Sequence, residues 1–88
     1  MTDKQITLQP GPLFYEVFLG ALMVFGTNLK DWSRLHGYDA NNAKMAATGS
    51  WNGPKAKDLR QKMIERVGED TFRHLYERRV AEEEQRAA

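Results

Sequence analysis

The sequence contains no cysteine, and this absence removes two kinds of stabilising structure. Disulfide bonds cannot link distant parts of the chain, and no metal site can be built on thiolates. Cytoplasmic proteins rarely contain disulfide bonds. The composition is therefore typical of a cytoplasmic protein, and we predict that location.

Long apolar segments are also absent. The richest apolar run, residues 17–25, has nine residues, whereas a membrane-spanning helix needs about 20. No basic stretch followed by an apolar run and a cleavage site opens the chain, so no targeting signal is predicted. We expect neither a membrane span nor export.

The sequence has no sustained alternation between apolar and polar residues, and it therefore predicts no β-strand. Apolar residues recur instead at intervals of three and four, between glycines and prolines that mark turns. We predict an all-α domain over residues 12–80, with about five short helices and a central helix–turn–helix. Residues 1–11 are predicted to be a flexible arm and residues 81–88 a frayed tail.

Caps and helix breakers set the predicted helix limits, at residues 12–25, 29–36, 40–48 and 54–67, with a fifth helix after an Asp70 cap. The first helix has two apolar faces, one formed by Phe14, Phe18, Leu22 and Phe25, the other by Tyr15, Leu19 and Met23. The fourth helix has one apolar stripe, formed by Ala56, Leu59, Met63 and Val67. The inward residues predicted for the fifth helix are Phe72, Leu75, Tyr76 and Val80.

Residues that could carry catalysis are missing. No nucleophilic side chain has a general base at a recognisable spacing along the sequence. No glycine-rich loop is placed to hold a phosphate group. His36 and His74 lie far apart, and no spacing of aspartate, glutamate and histidine around them builds a metal site. The sequence therefore indicates no enzyme, no cofactor, no metal site and no small-molecule ligand.

Charge is unevenly distributed along the chain, although the total is only +1. Residues 28–66 carry eight lysines and arginines against four acids, a net charge of +4. Residues 67–88 carry four arginines against six acids, a net charge of −2. A basic central segment is typical of a protein that binds a polyanion.

The most informative stretch is WSRLHGYDANNAKMAATG, residues 32–49, where two short helices meet at a glycine. Gly37 permits the left-handed backbone of a tight turn. Ser33 is small enough for the two helices to approach closely, and Tyr38 is placed to fill the joint. Ala43 and Ala46 give the second helix a small buried edge. This is the spacing of a DNA-binding helix–turn–helix.

Residues 29–48 resemble the helix–turn–helix of the Cro and phage-repressor family. The matching features are Trp32, Ser33, Gly37, Tyr38, Ala43 and Ala46. The segment is also similar to the small regulators of Mu-like phages. Taken together with the chain length and the start ITLQPGPLFYEVFLGALMVFG, it resembles the KorC-type plasmid repressors. It departs from the family pattern at Ser33, where alanine is commoner, at His36, where leucine is usual, and at Ala43, where a branched apolar residue is usual.

This resemblance implies double-stranded DNA as the partner and gene regulation as the function. The family's base-facing positions correspond to Asp39, Ala40, Asn41, Lys44, Met45 and Thr48. Side chains of these types suit base edges: asparagine pairs with adenine, lysine donates to guanine, and alanine or methionine contacts a thymine methyl. Asp39 has two alternatives, a helix cap or a reader of cytosine. The candidates for contact with the DNA backbone are Asn28, Lys30, Arg34, Lys55 and Lys57.

The two tryptophans have different predicted roles. We assign Trp32 to the core, while packing and contact with the DNA backbone remain alternatives for Trp51.

A homodimer that reads an inverted repeat would cover the apolar surface left over by the core. Its predicted interface consists of Tyr15, Leu19, Met23, Phe72, Leu75 and Tyr76. The alternative function is an all-α protein-interaction adaptor that uses the first helix.

Overall fold

The computed structural model describes residues 7–87. Within that range the chain forms five α-helices and no strand, which confirms the predicted all-α fold. The helices are α1 (Pro12–Val24), α2 (Leu29–Leu35), α3 (Ala40–Thr48), α4 (Pro54–Val67) and α5 (Glu69–Ala87). The predicted limits agree with these bounds to within one or two residues for α1 to α4.

Side-chain caps explain where α2 and α3 begin. The Asn28 carboxamide oxygen accepts the backbone N–H of Asp31, and an Asp39 carboxylate oxygen accepts that of Asn42, each at 2.8 Å. These contacts satisfy backbone donors that have no partner inside the helix. α5 differs from the prediction, because it begins at Glu69. Asp70 therefore lies in its first turn and is not its cap.

The core is formed mainly by α1, α3, α4 and α5. Phe14, Phe18 and Leu22 of α1 are buried as predicted, and the ring of Phe14 lies 4.7 Å from that of Phe72. The predicted stripe of α4 is buried along its whole length. Trp32 is buried as predicted and packs against Phe18 with a ring distance of 4.9 Å.

Two residues predicted to face inward are partly exposed. Phe25 is 43% exposed at the end of α1, and the Arg66 guanidinium lies over its ring at 4.6 Å. Leu75 is 38% exposed on α5. Both are less buried than predicted: α1 ends at Val24, one residue before Phe25, and the buried residues of α5 are Phe72 and Tyr76.

The chain ends were predicted to be loosely attached. Leu8 packs against the core, and the backbone N–H of Gly11 donates to the Ala47 carbonyl at 2.9 Å. The last part of the predicted arm therefore lies against α3, while residues 1–6 are outside the described residues. At the other end, α5 continues to Ala87 with residues 81–87 exposed.

Across residues 7–87, no single helix combines the length and apolar composition required to cross a membrane. α1 and α2 meet that requirement only when they are counted together, and they are bent by 94° relative to each other.

Candidate nucleic-acid interface

The turn between α2 and α3 has the geometry that its sequence predicts. Gly37 has a φ of 80°, a backbone conformation that glycine adopts without a steric penalty. The N–H of Tyr38 donates to the Ser33 carbonyl and that of Gly37 to the Arg34 carbonyl, at 3.0 and 3.1 Å. This pair of bonds is the Schellman motif, which ends a helix and sets the direction of the next segment.

Ser33 allows α2 to lie within the body of the protein. Its side chain is fully buried, and its hydroxyl donates to the Leu29 carbonyl at 2.6 Å. The polar group is therefore satisfied inside its own helix and needs no partner from α3. Tyr38 is half-buried beside the joint, with its ring 5.8 Å from that of Trp51. Trp51 is thus at least in part a packing residue.

α3 presents two different faces. The buried face consists of Ala43, Ala46 and Ala47, each fully excluded from solvent. Five of the six predicted base-reading residues lie on the opposite side, because a turn of 3.6 residues places them within one arc of about 140°. They are Ala40, Asn41, Lys44, Met45 and Thr48, and all are exposed or half-buried.

Three residues that were predicted to contact DNA have side chains that already form hydrogen bonds within the protein. Asp39 lies outside the exposed arc and caps α3, which is the first of its two predicted alternatives. The Thr48 hydroxyl donates to the Lys44 carbonyl at 2.9 Å. The Asn28 side chain caps α2 and also donates to the Asp31 carboxylate at 3.2 Å. Asn41 is freer, since its amide makes only a weak 3.6 Å contact with the Met45 sulfur.

The structure brings the cations of α2 next to the start of α3. Lys30 and Arg34 line a shallow cleft of about 300 Å³ together with Tyr38, Asp39 and Ala40. Both side chains are exposed, and within residues 7–87 neither forms an ion pair. Their positive charge therefore remains available to an anionic ligand beside the exposed arc of α3.

Lys55 and Lys57 lie on the first turn of α4, which follows the α3 carboxyl end after a short connection. Both are exposed, and neither is part of an ion pair among the described residues. The structure thus places Lys30 and Arg34 beside the start of α3, and these two lysines on the helix that follows its carboxyl end.

Tyr15, which was predicted to lie in a dimer interface, is close to Lys44 of α3. The Lys44 ammonium group lies 5.8 Å from the centre of the Tyr15 ring, a cation–π distance. Tyr15 is half-buried against the core and therefore borders the α3 face. This neighbour places Tyr15 beside a predicted base-reading residue, and its assignment to a dimer interface stays a prediction.

The sequence reasoning missed Arg60, which fixes the carboxyl end of α3. Its guanidinium donates to the Ala46 carbonyl at 2.7 Å and to the Asn52 side-chain oxygen at 2.6 Å. Burial lowers the pKa of this group below its usual value, but arginine still remains charged in proteins. The available signal was its position one turn after Ala56, on the buried side of α4.

Two further residues of the predicted dimer interface are buried in the core. Phe72 is fully buried and Tyr76 is 7% exposed, so neither can contact a partner. Their assignment to an interface is wrong. Leu19 is half-buried, Met23 is 75% exposed and Leu75 is 38% exposed, so apolar surface does remain on α1 and α5.

No family model, curated protein or solved structure matches this chain. Its function has to be argued from the residues and surfaces described above.

Proposed function

We propose that this protein is a sequence-specific DNA-binding regulator of transcription, a cytoplasmic repressor that binds an inverted-repeat operator as a homodimer. In this proposal α3 enters the major groove, and α2 crosses the DNA backbone beside it. The arrangement follows the way in which helix–turn–helix proteins bind DNA.

One observation carries this proposal: the exposed arc of α3 is small and polar, and it lies beside unpaired cations. The major groove is about 12 Å wide, and a helix enters it more easily when its side chains are short. Ala40 and Asn41 are short, and Lys44 is the only charged side chain within the arc. Lys30 and Arg34 lie at the amino end of the same helix.

Different side chains have different roles in the proposed complex. Asn41 pairs with adenine through its amide, and Lys44 donates to guanine. Ala40 and Met45 supply apolar contacts to thymine methyl groups. Lys30 and Arg34 bind phosphates next to the reading face, while Lys55 and Lys57 bind phosphates further along the backbone. Phosphate contacts fix the register without reading the sequence.

Substitutions on α3 test this assignment. Asn41→Ala and Lys44→Ala should each change the preferred DNA sequence and weaken binding to the best site by about 1–3 kcal/mol. Lys55→Ala and Lys57→Ala are the matched controls, because a lost phosphate contact weakens every sequence similarly. Selection of bound fragments from random DNA, followed by titration of the selected site, measures both effects.

The outcome that would contradict this assignment is specific. If Asn41→Ala and Lys44→Ala select the same fragments as the wild type, α3 does not read the bases. A change of preference in the Lys55→Ala variant would instead move the reading surface to α4.

A further inference from the structure

An apolar groove runs between α1 and α5, away from the α3 face. Its volume is about 520 Å³, and its apolar lining consists of Val17, Gly20, Ala21, Val24 and Leu75. Val24 is 82% exposed and Leu75 is 38% exposed. Exposed apolar side chains that line one groove are typical of an interaction surface. We name this feature the α1–α5 groove.

Gly20 has no structural reason to be glycine within one copy of the chain. It lies in the middle of α1, its φ is not positive, and an added Cβ atom would meet no atom within 4 Å. Alanine is preferred to glycine at such a position, because glycine loses more backbone entropy when a helix forms. The missing side chain would allow a partner outside this chain to approach the α1 backbone closely.

The charged residues of the α1–α5 groove balance one another. Glu16 and Arg79 form an ion pair at 2.8 Å across the groove. Arg78 and Glu82 are exposed, and neither forms an ion pair within the part of the chain that the structure describes. Two acids and two arginines give the groove no net charge. This balance matters because a two-fold dimer brings a surface against itself.

We propose that the α1–α5 groove is the docking surface for a second copy of this chain, with the two α1 helices in contact at Gly20. A surface of one charge sign would repel its own copy, whereas this neutral and partly apolar surface does not. The inference takes the two-fold dimer from the proposed function, but it depends on no contact between the protein and DNA.

The position of the groove on α1 leaves α3 free. Helical residues advance by about 100°, so Gly20 lies about 140° around α1 from Tyr15, and Val24 about 180°. Tyr15 borders Lys44 on the α3 side. Two copies joined by their α1–α5 grooves therefore keep both reading faces exposed, as binding to two half-sites requires.

Gly20→Ala is the most direct test, because it should stabilise the folded chain and at the same time weaken the dimer. In dilute protein the variant should melt about 4 °C higher than the wild type, since alanine favours the helix. Its dimer dissociation constant, measured by sedimentation without DNA, should nevertheless rise about tenfold. Gly20→Leu should give a monomer. A Gly20→Ala dimer as tight as the wild type, or a wild type that is monomeric at tens of micromolar, would overturn the inference.

Charge-changing variants test whether the neutrality of the α1–α5 groove is needed for dimerisation. Arg78→Glu gives each groove a net negative charge, so the two copies repel and dimerisation should weaken about tenfold. Adding Glu82→Arg restores neutrality and should bring the dissociation constant to within about threefold of the wild type. Glu84→Arg, on the opposite side of α5, is the control and should have little effect. Failure of the double variant to restore the dimer would contradict the charge argument.

The same variants distinguish this inference from the proposed function. A monomeric Gly20→Leu protein that still binds a single half-site, with Asn41 and Lys44 effects intact, supports both. Groove variants that dimerise as tightly as the wild type would reject the groove as the interface, but not the DNA-binding proposal. A groove-dependent dimer that binds no DNA rejects the DNA-binding proposal alone.

Discussion

Raising the salt concentration from about 50 to 200 mM should weaken binding to duplex DNA by roughly two to four orders of magnitude. Each phosphate that a lysine or arginine neutralises releases bound counterion, and salt opposes that release. With about 4–8 such contacts per dimer, the plot of log affinity against log salt should have a slope on the order of −4 to −7. Fluorescence anisotropy with a labelled duplex measures this slope directly.

A double variant identifies which cations produce the slope. Lys30→Ala combined with Arg34→Ala removes two phosphate contacts from each copy, and should make the slope shallower by about 3 to 4. Arg66→Ala combined with Arg86→Ala removes the same charge away from the α3 face and should leave the slope unchanged. A wild-type slope near zero would exclude DNA binding and would favour the alternative function, a protein-interaction adaptor that uses the first helix.

Local sequence signals predicted the helix–turn–helix segment well. Asn28 and Asp39 have short acceptor side chains that reach the backbone N–H three residues on, and Gly37 has a conformation that other residues avoid. Each of these effects depends on residues close together in the chain. The limits of α2 and α3 could therefore be read from the sequence without knowledge of the tertiary packing.

Contacts between distant helices could not be predicted in this way. The periodicity of α5 placed Phe72, Leu75 and Tyr76 on one side, but only the arrangement of α1 against α5 decides which of them is covered. Tyr15 was grouped with Leu19 and Met23 by helical spacing, yet α3 lies beside its ring. Helical spacing shows that residues share a face, and it does not show what that face contacts.

Arg60 illustrates the same limit for a polar residue. Arginine is usually exposed, so its presence beside the predicted apolar stripe of α4 indicates surface charge. In the structure it reaches Ala46, 14 residues earlier in the chain, and satisfies one of the carbonyl groups that the end of α3 leaves without a partner. The local sequence contains no signal for that acceptor, because it is a backbone atom placed there by tertiary packing.

Arg60→Ala should lower the free energy of unfolding by about 3 kcal/mol, because it removes two hydrogen bonds from a charged donor and leaves the buried Ala46 carbonyl unpaired. In a domain of this size, such a loss corresponds to a fall in melting temperature of roughly 10 °C or more. The cation also favours the carboxyl end of α3, where the helix dipole is negative. Chemical denaturation measures the change, with the exposed neighbour variant Gln61→Ala expected to stay within about 0.5 kcal/mol of the wild type.

Hydrogen exchange shows where the Arg60→Ala protein loosens. Because Arg60 ties α4 to Ala46 and Asn52, amide protection should fall most in α3 and in the connection that follows it. Arg60→Lys should lose less, since an ammonium group can still donate to one acceptor. DNA affinity should fall together with α3 protection, because a recognition helix must be held rigidly to read bases. An Arg60→Ala protein with wild-type unfolding energy and unchanged protection in α3 would show that Arg60 does not hold this helix in place.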